Sequence, residues 1–351
     1  NYRDYKFKDM GRFDYSKESC FDFHHAVEQH IVPLVKKIQQ KKLIKLKKER
    51  FKPWDTAVNP DGKAPLKPFK TGKEMLDHTV AIFDRVDSKF AGFLKTMEKM
   101  EHFDLESKPG KAPGGYNYPL YETGAPFIFM NSVGSQNDFT TMIHEGGHAV
   151  HSFLTHNLEL TSFKSFPSEI AELASMSMEL LTMDYWDQVY SDQDDLTRAQ
   201  REQIEGTLTL LPWIAQIDAF QHWIYENHNH TVEERARYWM TLNQRFGTGL
   251  VDWQDYEQVL ENSWQRQLHL FEVPFYYIEY GIAQLGAIGV WKNSKSDFTK
   301  AVRQYENALK LGYTESMPNV FEAAGISFDF SGAHICKLAE FVGEELEKLE
   351  D

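Results

Sequence analysis

Apolar side chains recur at three- and four-residue steps through most of this chain, which predicts a protein built largely of helices. Residues 19 to about 49 form one such stretch, with a kink expected at Pro33, where the ring removes a backbone donor. Its Lys-rich end, Lys36 to Lys48, suits the negative pole of a helix and reads as a solvated face. Residues 53–68 read as a loop with Asn59-Pro60-Asp61-Gly62 as a turn, and 72 to about 102 as a second helical stretch. The pattern then changes. Between 105 and 140, Phe127-Ile128-Phe129-Met130 is a short apolar run bounded by Gly124 and Pro126 before it and by the Ser/Gly/Asn-rich residues 131–137 after it, which reads as a strand. Helical spacing resumes through His156, from Glu169 to Tyr190 and from Leu196 to about Asn227, and Thr231-Val232-Glu233-Glu234 is a capping box opening another helix. That leaves His228 and His230 in a loop, while His24, His25 and His30 lack four-residue spacing and read as surface or core residues.

Within the periodic stretch from Asp138 to Leu154 lies His144-Glu145-Gly146-Gly147-His148. At 3.6 residues per turn the two histidines stand about 40° apart around a helix, so their ring nitrogens can reach one cation. Glu145 sits beside the pair, where a carboxylate can act as general base on a water. The glycine pair costs about 1 kcal/mol per residue in a helix, which predicts close approach by a neighbouring helix or strand. His151 projects from nearly the same face as His144, but one more imidazole would close a site that catalysis needs open, so a packing or supporting role is expected of it.

A catalytic zinc needs a third protein ligand and a free position for water. The segment from Phe166 to Glu179 is the best source: Pro167-Ser168 reads as a helix start with Ser168 as N-cap, and Glu169, Glu172, Met176 and Glu179 follow on one face. Ile170, Leu173, Ala174, Met178 and Leu180 make this helix too apolar to lie free on a surface, and buried carboxylates need a partner such as a metal. Spacing alone leaves Glu169 and Glu172 both open.

The run from His144 to Glu179 resembles the thimet oligopeptidase and oligoendopeptidase F family of zinc metallopeptidases. Ala171-Glu172-Leu173-Ala174-Ser175 is similar to that family's third-ligand segment, which makes Glu172 the expected ligand and Glu179 a residue that orients one. Met176 stands where thermolysin-like enzymes carry an Asp. Gly110 to Tyr116, Pro126 to Asn131, Lys52-Pro53-Trp54-Asp55, Pro65 to Phe69 and His269 to Tyr280 follow the order of the oligoendopeptidase F and Pz-peptidase branch, so the resemblance covers nearly the whole chain. It implies a mainly α, zincin-like metallopeptidase with a small β-sheet beside the active site and a substrate channel between helical walls. Residues 1–104 would be a helical wall and 105–351 the catalytic core of a longer protein, with a further helical portion of the same protein ahead of residue 1. One zinc ion would be held by His144, His148 and Glu172, with Glu145 as general base and His269, Tyr276 and Tyr277, with Tyr280 as a further candidate, stabilising the oxyanion. Helix core is the alternative reading of these aromatics.

In that setting Phe127–Met130 is either an ordinary core strand or an edge strand whose free N–H and C=O groups pair with an extended substrate, with Gly114-Gly115 as a flexible loop entering the region. The expected activity is cleavage of internal bonds of short peptides; a zinc exopeptidase or an inactive zinc-stabilised peptide binder are the alternatives. A net charge of −14 disfavours nucleic-acid binding. Two cysteines, Cys20 and Cys336, fit a reducing, cytoplasmic setting, and no apolar run reaches membrane-spanning length.

Overall fold

The computed structural model describes residues 2–349, and its helices follow the apolar periodicity closely, joined by one three-stranded sheet. By packing, the chain divides into two units: Asn1–Ala64, Ile204–Ile282 and Asp329–Asp351 form the first, Pro65–Gln203 and Ala283–Phe328 the second. The division falls elsewhere than at residue 104, because residues 65–104 pack with the histidine-bearing helix; the Phe83 ring, for one, fills the space over Gly146.

In the second unit, strands β1 (Phe103–Glu106), β2 (Gly115–Tyr118) and β3 (Phe127–Ser132) lie in the order β1-β3-β2. β3 runs parallel to β1 and antiparallel to β2 and buries Ile128, Met130 and Ser132 on one face. The apolar run is therefore the central strand, and the edge-strand reading of Phe127–Met130 is corrected: both sides of β3 are paired within the sheet, and β2 is an edge. Gly115 belongs to that edge strand instead of a loop, and a Cβ there would come within 3.0 Å of the Thr141 side chain and 3.2 Å of Met130.

The helix Gln136–Thr155 starts on a capping box between Ser135 and Asp138. The expected close approach at the glycine pair is present. A Cβ at Gly147 would lie 2.7 Å from Ser175 Cα and 3.0 Å from the Ala174 carbonyl oxygen, so the helix Ser168–Thr182 crosses here backbone to backbone. That second helix begins at Ser168 itself, with Pro167 at the cap position and no side-chain cap, which corrects Ser168 as N-cap. Pro167 carries no side-chain oxygen to cap with, and its fixed φ fits the non-helical position just ahead of the first turn. The stretch expected from 72 to 102 is two helices, Gly72–Val86 and Ser88–Lys99, divided at extended Asp87, whose side chain accepts from the Lys89 N–H and caps the second. Phe83, Phe90, Phe139, Trp186 and Tyr305 form the inner core of this unit.

In the first unit, the helices Lys17–Ala26 and Val32–Leu46 are joined by a π-helical turn, Val27–Ile31. The break lies ahead of Pro33, which occupies the first turn of the following helix, where it removes no needed donor. Phe23, Phe220, Trp239 and Phe275 are buried here. The capping box forms at Thr231 with Glu234, and its helix runs Val232–Phe246. No described helix is long and apolar enough to cross a membrane.

Candidate metal centre

The two helices that cross at Gly147 bring three donor side chains together: atoms of His144, His148 and Glu172 lie within 4.8 Å of one another. Glu172 Oε2 is 3.1 Å from His144 Nε2 and 3.7 Å from His148 Nε2. Glu169, also buried, is outside this group. On the far side of the His144 ring, Nδ1–H donates to Glu179 Oε1 at 2.6 Å, and Glu179 Oε2 accepts from Gln203 Nε2 at 2.7 Å. That chain places the ring proton on Nδ1 and turns the Nε2 lone pair toward Glu172. Ser175 Oγ donates to Glu172 Oε2 at 2.9 Å, and His148 meets the Ala171 carbonyl.

A lone pair facing a carboxylate oxygen at 3.1 Å requires a proton or a cation between them. Burial opposes ionisation of Glu172, yet the imidazoles of His148 and His144 and hydrogen bonds from His144 and Ser175 hold it at about 2. Burial likewise disfavours charge on His144, but Glu172 and Glu179 outweigh it and raise that ring well above its ordinary value. His148 is pressed down to about 4 by burial against the pull of Glu172, so it presents a neutral ring. Two oriented imidazoles and one ionised carboxylate, each held by its own partner, fit a divalent cation of the zinc class. Glu145, beside them, is 5% exposed and is raised to about 7 by burial, with His144 opposing and Glu172 reinforcing the shift. His151 is fully buried, its ring stacked 3.6 Å from that of Phe166, and burial presses it down to about 3. It packs and takes no part in the donor group.

The first unit holds the remaining expected site residues. The Trp213 indole N–H donates to Gln267 Oε1 at 3.0 Å, which fixes that amide with its nitrogen toward His269 Nδ1, 2.6 Å away. An amide nitrogen only donates, so the ring proton of His269 sits on Nε2. Around this ring stand Tyr276, Tyr277 and Tyr280, with centroids 5.8, 5.2 and 5.8 Å from it. The tyrosines at 276 and 277 lie ahead of the helix Ile278–Ser296, in a turn that places buried Phe275 at φ 66, a strained position for a non-glycine residue. That turn is pinned from both sides: Arg12 Nη2 donates to the Phe275 carbonyl at 2.7 Å and to Glu279 Oε1 at 2.6 Å, and the Phe275 N–H donates to Gln221 Oε1 at 2.6 Å. Burial raises the Tyr277 phenol, so it keeps its proton as a donor.

The model of peptidase family M3 matches residues 1–339. The chain belongs to that family. It is 26% identical over 288 residues to oligopeptidase PepF of Bacillus subtilis, covering 80% of this chain and 42% of that protein. It is 24% identical over 299 residues to the plasmid oligoendopeptidase F of Lactococcus lactis subsp. cremoris, covering 80% and 46%. Among solved structures, Pz peptidase A with an inhibitor superposes at a TM-score of 0.90 and 28% identity over 98% of this chain and 60% of that one. The chain thus spans about half the length of the curated relatives it matches.

Several supporting residues of this M3 chain escaped sequence reasoning. Gln203 is remote in sequence from Glu179, and Gln267 and Trp213 carry no motif. Asn117 Nδ2, on the edge strand β2, lies 3.4 Å from the Glu145 carbonyl oxygen and ties that strand to the motif.

Proposed function

We propose that this chain is the catalytic portion of a zinc-dependent endopeptidase that cleaves internal bonds of short oligopeptides. The observation that carries the reading is the convergence of His144, His148 and Glu172 beside a buried Glu145. Membership of a peptidase family and relatives named oligopeptidase and oligoendopeptidase support the substrate class. A zinc ion held by the three side chains would supply a Lewis acid that acidifies water and polarises the scissile carbonyl. Glu145, made more basic by burial, takes the proton of the attacking water on its carboxylate and delivers it to the leaving amine nitrogen. Glu179, backed by Gln203, keeps His144 in the tautomer that leaves Nε2 free. The free side of β2, Gly115–Tyr118, offers backbone N–H and C=O groups to an extended peptide. By family resemblance the oxyanion takes hydrogen bonds from His269, Tyr276 and Tyr277, and the Nε2 proton of His269 and the retained phenol proton of Tyr277 are the donors such a role needs.

The test is Glu145→Gln. It keeps side-chain size but cannot accept the water proton, so hydrolysis of a peptide blocked at both ends should fall about a thousandfold or more while metal content is retained. Turnover equal to the parent refutes Glu145 as base. A parent that cleaves only peptides with a free terminus is an exopeptidase.

A further inference from the structure

Two helices of the first unit each carry two donor-bearing residues one turn apart: Cys20 and His24 on Lys17–Ala26, Asp218 and His222 on Gln193–Glu226. All four are buried, at 2%, 2%, 0% and 3% exposure. Donor atoms of Cys20, Asp218 and His222 lie within 4.8 Å of one another. His24 Nε2 is 2.8 Å from Asp218 Oδ2, and His222 Nε2 is 3.3 Å from the same oxygen without hydrogen-bond geometry. Asp218 Oδ1 and His222 Nε2 are consequently buried with no hydrogen-bond partner among the described residues. A carboxylate oxygen and an imidazole nitrogen withdrawn from water and left unpaired are costly, and one cation answers both.

We propose that Cys20, Asp218 and His222 bind a divalent cation of the zinc class in a buried, structural site, with His24 holding the carboxylate through its other oxygen. Sulfur, imidazole nitrogen and carboxylate oxygen together favour such an ion over magnesium or calcium. Binding replaces the Cys20 S–H bond with a sulfur–metal bond and releases that proton, so thiolate and carboxylate balance the two positive charges. With donor atoms within 4.8 Å of one another, modest side-chain movement brings them to metal–ligand distances. Arg3 Nη1 donates to His222 Nδ1 at 3.4 Å, so ligation through Nε2 moves the ring proton to Nδ1 and gives up this long hydrogen bond, with Arg3 held by Glu226, with which it already pairs. The ion clamps the helix Lys17–Ala26 to Gln193–Glu226, and its sealed surroundings give no access to a substrate.

Cobalt(II) reports this site selectively, because the His144, His148 and Glu172 set contains no sulfur and its failure to bind leaves the readout untouched. The chain loaded with cobalt should show a near-ultraviolet thiolate-to-cobalt charge-transfer band that titrates to one ion per chain. The band should survive Glu172→Ala, and it should survive Cys336→Ser, where Cys20 is the sole remaining thiol. Asp218→Asn should raise the cobalt concentration needed for the band ~10-fold or more. Absence of the band in cobalt-loaded, folded parent chain overturns the proposal. So does its loss in folded Cys336→Ser.

Discussion

Two clusters in this chain use the same device, donor residues one helical turn apart on a helix crossed by another, in opposite surroundings. His144, His148 and Glu172 keep side-chain exposures of 22%, 18% and 9%, and each has a partner that aims it. His24, Asp218 and His222 are at 3%, 0% and 3%, with two polar atoms left unpaired. The first set is partly exposed and the second is sealed. Four-residue spacing therefore supplies donors in both places, while depth sets how far solvent reaches them. The electrostatics follow the same split. In the open cluster charge is shared among Glu172, Glu179 and His144, whereas in the sealed one burial opposes ionisation of Asp218 and the two histidines alone hold it well below the usual carboxylate range.

The largest expected effect that separates them is on stability. Asp218→Ala removes the acceptor of His24 and the charge facing His222 in a sealed interior and should cost about 3–5 kcal/mol in denaturant unfolding of metal-free chain. Glu172→Ala, beside partly exposed histidines, should change metal-free stability less; equal losses would erase the contrast in depth. For metal the order reverses at the open cluster. Glu172→Ala should weaken zinc binding there by about a hundredfold or more, read by competition with a chromophoric chelator, while Glu169→Ala leaves it nearly intact. Equal retention by both variants removes Glu172 from the donor set. Next in size is Glu179→Ala, which frees the His144 ring to change tautomer and should weaken the same binding between ten- and a hundredfold. An unchanged constant would show that Glu172 and His148 suffice to orient the ion.

Legibility followed the range of the interactions. His144, Glu145 and His148 stand out in the sequence because one helical turn is a local period, and so does the capping box at Thr231. The mainly helical class with a small sheet was legible for the same reason. Choosing Glu172 over Glu169 needed family resemblance, since the two differ only in how the helix is rotated against its neighbour. The place of Phe127–Met130 in the sheet stayed open between core and edge in the sequence because strand order is set by pairing with Phe103–Glu106 and Gly115–Tyr118, which no local pattern encodes. The pair Cys20 and His24 has the same spacing as His144 and His148, yet it lacks an adjacent carboxylate. Its meaning depends on Asp218, nearly two hundred residues away.

The smallest expected effect concerns how the open cluster is assembled, and it separates two neighbouring glycines. Replacing either by Ala gains about 1 kcal/mol of helix propensity. At Gly147 the new methyl meets Ser175 Cα at 2.7 Å and the Ala174 carbonyl oxygen at 3.0 Å, both backbone atoms of the crossing helix, which can yield only by moving that helix and Glu172 with it. Overpacking of this kind costs about 1–3 kcal/mol, so the net loss should be about 1 kcal/mol, accompanied by weaker zinc binding as Glu172 is pushed from the imidazoles. At Gly146 the methyl meets the tip of the Phe83 ring at 2.8 Å, a side chain that can tilt, so cost and gain should nearly cancel and zinc binding should stay unchanged. Thermal unfolding and zinc competition on the two variants measure this directly. If Gly147→Ala matches the parent in both, the backbone crossing is not what sets the distance between Glu172 and the histidines.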